Sequence, residues 1–172
     1  MDWAVRAAQM SHAKRLQVGA VVVKDDTVIS YGYNGMPSGW DNNCEDKVFN
    51  TRFIQQKDGS WMDPLTYKVV DIDEHYPLIA TSDVDDSIIG RYQLKTKPEV
   101  LHAESNAIAK LAKSHNSGLG ADLFVTHSPC IDCAKLILQS GIRRVYFGQH
   151  YRSDDGITFL KQSGIEVNKL DE

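Results

Sequence analysis

Two short segments carry side chains whose types and spacing suit metal-assisted hydrolysis. One is His102-Ala103-Glu104 and the other is Pro129-Cys130-Ile131-Asp132-Cys133. Each reads as the first turn of a helix. Cys130 and Cys133 are three residues apart, so on a helix both sulfurs leave the same side of one turn. A helix N-terminus favours negative charge and eases both thiols toward thiolate. His102 adds a neutral nitrogen from a second helix. One imidazole and two thiolates leave a fourth tetrahedral position on Zn2+ for water, the pattern of a catalytic rather than a structural zinc. The metal lowers that water's pKa from ~15.7 towards ~7. Glu104 need not be a ligand, because a carboxylate beside the water can accept its proton and pass it on. The expected roles are therefore metal ligation for His102, Cys130 and Cys133, and catalytic proton transfer for Glu104.

A Cys-x-x-Cys pair alone also serves structural zinc knuckles and redox dithiols. A redox pair has no use for His102 and Glu104 at their places. A structural zinc needs a fourth protein ligand, and Cys44 is the one spare cysteine of three. A lone thiol and a close pair are a metal-site pattern rather than a disulfide pattern.

These two turns need helices and strands to hold them. The spacing predicts a helix capped by Asp2 and running to about Arg15, a strand over Val18–Lys24, a turn at Asp25-Asp26 and a hairpin partner over Thr27–Tyr33. Regular structure breaks at Asn34–Gly39. Between Gly39 and Pro98 the pattern is weak. It suggests a short helix carrying Val48, Phe49, Arg52 and Phe53, strands at Tyr67–Val70 and Tyr76–Ala80, and a solvated loop at Asp83, Asp85 and Asp86. Beyond Pro98, helices are predicted from His102 to about Ser114, from Cys130 to Ser140 with Gly141 as the stop, and over Thr158–Gln162. Strands are predicted at Leu123–Thr126, Val145–Gly148 and Ile165–Asn168. This alternation implies a three-layer α/β/α sandwich around a mixed five-stranded sheet. The expected organisation is a single domain over 1–172 with an insertion at about 40–99.

A chain of 172 residues with net charge −4 can bury a real core and has no basic excess for a nucleic acid polymer. It carries no apolar stretch of signal-peptide type near its start and no aliphatic run long enough to cross a bilayer, so a soluble, cytoplasmic protein is expected.

His-x-Glu followed by Pro-Cys-x-x-Cys is the signature of zinc-dependent deaminases. The chain resembles the deoxycytidylate deaminases of the cytidine deaminase-like superfamily. The resemblance runs through Gln17–Ala20, Gly32–Gly39, His102–Ile108, Ser128–Lys135 and Gln139–Ile142. It implies hydrolysis of dCMP to dUMP and ammonia, with Glu104 moving one proton from the zinc water to N3 of cytosine and then a further proton to the leaving amine. It implies a homohexamer, activated by dCTP and inhibited by dTTP with Mg2+ on the triphosphate. Asn34 and Gly35, in the Gly-Tyr-Asn-Gly stretch, are its candidates for the regulatory nucleotide. Tyr151, Gln17, Val18 and Ala103 are its candidates beside the substrate. Extra early cysteines that serve a second zinc in some phage-type members are missing, although His12, Cys44 and His75 could gather.

Lys14, Arg15, Arg52, Arg91 and Arg152 are candidates for the substrate phosphate, and the sequence does not choose among them. No partner is evident for His115, His127 or His150. Rival readings are a deaminase of another cytosine nucleotide or nucleoside, a tRNA adenosine deaminase, disfavoured by the acidic balance, and a nucleotide-binding regulatory protein of the same fold. The intact Glu104 argues against the last, since a pure binder needs no proton shuttle.

Overall fold

Helix α1 (Asp2–Ala8) starts the chain. It stops well short of Arg15 because Ser11 intervenes. The Ser11 backbone N–H closes onto Ala8 O, its hydroxyl accepts from Ala13 N–H at 3.1 Å, and its carbonyl accepts from the Gln17 amide at 2.7 Å. Such local side-chain bonding competes with helix. Met1, not Asp2, is the N-cap residue, and the buried face is Ala4, Ala7 and Ala8, while Trp3 is 71% exposed. Strands β1 (Gly19–Lys24) and β2 (Thr27–Tyr33) form an antiparallel hairpin. Asp25 and Asp26 both take positive φ, the geometry of a tight hairpin turn.

The structure, a computed structural model, describes residues 1–82 and 88–170. The expected loop at Asp83, Asp85 and Asp86 lies outside the described residues. The chain divides into two compact units, one made of Met1–Cys44 with Pro98–Glu172 and the other of Glu45–Lys97.

The second unit contains β3 (Glu45–Phe49), β4 (Ile54–Gln55), β5 (Trp61–Met62), β6 (Val69–Val70), α2 (Ile72–His75), β7 (Leu78–Thr81) and β8 (Ile88–Thr96). Its strands make two antiparallel sheets, ordered β3-β8-β7 and β4-β5-β6. The expected helix through Val48 and Phe49 is thus a strand. Phe49 lies opposite Tyr92 with ring centroids 5.6 Å apart, a pairing between residues distant in sequence. Arg52 and Phe53 follow in a turn made by Asn50, whose side-chain oxygen accepts from both their backbone N–H groups.

The first unit resumes with α3 (Ala103–Ala112), β9 (Asp122–His127), α4 (Ile131–Gln139), β10 (Arg144–Gln149), α5 (Asp155–Gln162) and β11 (Glu166–Lys169). Its sheet has the order β11-β10-β9-β1-β2, with β9, β10 and β11 parallel and the hairpin antiparallel. This is the mixed five-stranded α/β sheet expected. Successive residues of β1 face opposite layers. Ala20 and Val22 join Leu123, Val125, Val145 and Phe147 in the core under α3, α4 and α5. Val21 packs on Ala4 and Ala7 of α1.

Candidate metal centre

Helix α3 is bolted to β2. The Ser30 hydroxyl donates to Ala107 O at 2.7 Å, the Asn106 amide to Tyr33 O at 2.8 Å and the Lys110 ammonium to Tyr31 O at 2.8 Å. Gly32 makes this approach possible, since a Cβ there would lie 2.2 Å from Ala103 O. The first turn of α3, with His102 as N-cap residue, is thereby fixed against the sheet. Helix α4 begins where β9 ends, with Cys130 as its N-cap residue.

These two helix starts bring His102, Cys130 and Cys133 together, with one ligand atom from each all within 4.8 Å of one another. The His102 Nδ1 lies 3.3 Å from Cys133 Sγ and 3.5 Å from Cys130 Sγ. Zinc bound at about 2.3 Å to sulfur and about 2.0–2.1 Å to nitrogen at tetrahedral angles separates such atoms by about 3.5 Å. The donor set therefore fits zinc in both chemistry and spacing. It is the metal-capable group found among the described residues.

Glu104 is 4% exposed, beside the cluster. Burial pushes its carboxyl up to about 7, opposed by its own backbone N–H and the charge of His102. Such a group exchanges protons near neutrality, and a cation beside it would favour the carboxylate. The thiols differ. Hydrogen bonds from Cys133 and then His102 draw Cys130 down to about 4, while donation to Cys130 and burial push Cys133 up. The bond to Cys130 raises His102, against the effect of its own desolvation. A divalent cation would hold both sulfurs as thiolates.

The other expected site residues fall into separate places. Ala103 is fully buried between His102 and Glu104. Tyr151 is half-buried. Its N–H donates to the Ser128 hydroxyl at 2.8 Å, and the Arg152 guanidinium lies 5.5 Å from its ring centroid. Val18 packs at the edge of the core, and Gln17 is exposed. Asn34 uses both ends of its amide on the chain entering β1, accepting from Val18 N–H and donating to Leu16 O, each at 2.8 Å. Gly35 bridges to Leu101 through two backbone bonds.

Of the phosphate candidates, Arg52 pairs with Asp63 and Arg91 with Asp73, both within the second unit. Lys14, Arg15 and Arg152 are exposed in the first unit. Cys44 is buried with Ala13 and Val100, and His75 packs on the Phe53 ring. His127 lies 3.1 Å from the Thr126 hydroxyl and His150 3.0 Å from Asp154, partners the sequence did not indicate.

The sequence pointed to Gly35 but not to the cavity around it. Gly35, Tyr33, Trp40, His12, Lys110 and Lys113 line a cavity of about 690 Å³. Asn106, Ala109, Lys110 and Lys113, which line it too, share one helical face, a spacing that could have pointed to it.

Residues 1–149 match the family model of the cytidine and deoxycytidylate deaminase zinc-binding region. The chain is 32% identical over 170 residues to the deoxycytidylate deaminase of Enterobacteria phage T4, covering 93% of this chain and 82% of that protein. It is 30% identical over 177 residues to the human deoxycytidylate deaminase, covering 99% and 76%. The crystal structure of dCMP deaminase from the cyanophage S-TIM5 in complex with dCMP and dUMP is similar at a TM-score of 0.68 and 37% identity, covering 98% of this chain and 92% of that one. The chain belongs to the cytidine and deoxycytidylate deaminase family defined by this zinc-binding region.

Proposed function

We propose that this chain hydrolyses dCMP to dUMP and ammonia. The observation that carries the reading is the buried Glu104 carboxyl beside the His102, Cys130 and Cys133 cluster, in a chain similar to dCMP deaminases over almost its whole length. His102, Cys130 and Cys133 would hold Zn2+, which would supply an acidified water at neutral pH. Glu104 takes a proton from the attacking water and delivers it to the ring nitrogen, then carries the second proton, from the new hydroxyl on the ring carbon, to the departing amine, which leaves as ammonia. Its burial excludes bulk water, so the proton stays within the site. The backbone of Ala103, with Tyr151, Gln17 and Val18, lines the substrate side, and Lys14, Arg15 and Arg152, exposed in the same unit, are the candidates for the phosphate.

The same reading extends to regulation by dCTP as activator and dTTP as inhibitor, each with Mg2+, in a homohexamer. The cavity beside Gly35 supports it. Lys110 and Lys113 suit phosphate, Trp40 and Tyr33 suit a base, and the volume is that of a small-molecule site. Asn34 supports this pocket by holding the strand end in place. In the cytoplasm such an enzyme feeds nucleotide biosynthesis.

Ammonia release by the zinc-loaded protein, with dCMP, dCTP, deoxycytidine and dAMP tested separately, decides the substrate. Turnover of dCMP, raised by dCTP and suppressed by dTTP, is the expected result. Turnover of deoxycytidine or dCTP instead moves the substrate but keeps the zinc chemistry. No release from any of them, with zinc bound, leaves a nucleotide-binding protein of this fold.

A further inference from the structure

The turn that delivers Cys130 is held from two sides. On one side, Ser128 is 3% exposed. Its N–H donates to Gln149 O at 2.8 Å, and its hydroxyl accepts from Tyr151 N–H at 2.8 Å. Both bonds reach the chain leaving β10. On the other side lies Gly156, buried in the first turn of α5. A Cβ at Gly156 would stand 2.0 Å from Pro129 O and 2.9 Å from Cys130 O. Its backbone is not in the left-handed region. Space alone therefore demands glycine at a helical position where alanine would otherwise be favoured by about 1 kcal/mol.

The atoms that a side chain would meet are backbone and cannot swing aside. Cys130 O accepts Ala134 N–H at 2.9 Å, a bond of the first turn of α4. Moving it disturbs the helix that carries Cys133. Relief would need a shift of about 1 Å, the gap between 2.0 Å and the roughly 3.0 Å that a real Cβ tolerates. Metal–ligand distances tolerate about 0.2 Å. The same displacement that a core absorbs is thus ruinous for a metal site.

We propose that Gly156 and Ser128 are positioning residues that seat the Ser128–Pro129–Cys130 turn and so set the geometry of Cys130 toward the metal. The inference rests on His102, Cys130 and Cys133 holding zinc. Gly118 provides a milder comparison away from the cluster. It is buried between the far ends of α3 and α4, where a Cβ would lie 2.8 Å from Ser140 O.

The test is zinc affinity by chelator competition, with the visible spectrum of the Co2+ form, for the full chain and for Gly156→Ala, Gly118→Ala, Ser128→Ala and Ser128→Thr. Gly156→Ala should weaken zinc by about tenfold to a hundredfold, the range for groups that orient ligands, and alter the Co2+ spectrum. Gly118→Ala should lower thermal stability and leave both metal readouts unchanged. Ser128→Ala should weaken zinc, and Ser128→Thr, which keeps the acceptor, should restore it. Wild-type affinity and spectrum in Gly156→Ala would overturn the inference. If that variant fails to fold, the Ser128 pair decides: unchanged affinity in Ser128→Ala, or equal loss in both variants, overturns it. If the wild-type chain itself binds no zinc, the metal reading fails rather than this one.

Discussion

At Glu104, burial and proximity act together. Desolvation raises the carboxyl toward neutrality, and the residue sits next to His102 of the metal-capable cluster. Glu104→Gln keeps the shape and removes the proton acceptor. We expect kcat for dCMP to fall by about 10²–10⁴, with zinc content unchanged by elemental analysis. Loss of zinc in this variant would make Glu104 a ligand and refute the shuttle role. The His102, Cys130 and Cys133 cluster was legible in sequence because metal-ligand chemistry favours such spacing: two cysteines on one helical turn and a histidine opening another. The cavity beside Gly35 was not, since Trp40, His12 and Lys113 come from segments far apart in the chain. Asn34 was a candidate for the regulatory nucleotide by family resemblance, and its amide bonds Leu16 O and Val18 N–H.

At the scale of elements, such ties decide how the strands meet. Asn34→Ala would strip the partners from Leu16 O and Val18 N–H at the entrance to β1. We expect a loss of about 1–3 kcal/mol in denaturant unfolding, the net worth of two partly buried hydrogen bonds at about 0.5–1.5 kcal/mol each; a loss below a few tenths would mean water takes over both bonds. Asp122 and Arg144 sit opposite each other at the starts of β9 and β10, joined through Arg144 Nε at 2.7 Å and Nη2 at 2.5 Å. This bidentate bond, with smaller help from Arg143, holds the Asp122 carboxyl below its ordinary value. A group lowered by folding adds stability above its unfolded pKa and loses it as pH falls through its folded one. Asp122→Asn should therefore lower the thermal midpoint at pH 7, and the difference should close in acid. A gap that stays constant with pH would assign the effect to packing. Elements with local signals were read well, as with Thr27–Tyr33, whose predicted and observed ends agree. The helix predicted at Val48 and Phe49 failed because strand β3 owes its existence to β8, some forty residues later, and no local pattern records that partner.

Across the whole molecule, the metal would tie together what the sheet only aligns. His102 leads α3 and the cysteines lead α4, two helices whose buried faces pack in one core. A zinc held between them would join the two helix starts, and the three side chains that would hold it all belong to the unit Met1–Cys44 with Pro98–Glu172. Binding to the folded state alone stabilises it by RT ln(1 + [Zn]/Kd), about 4.1 kcal/mol at a thousandfold excess over Kd. Thermal unfolding in zinc buffers of graded free concentration should therefore show a midpoint that climbs steadily with log free zinc, and a chelator should return it to its lowest value. Amide exchange adds the location: protection should rise in α3 and α4 as zinc is added. A midpoint indifferent to free zinc over several decades, in protein shown to take up the metal, would mean the unfolded chain binds it as well as the fold does. The three side chains would then be a metal sink rather than a preformed centre.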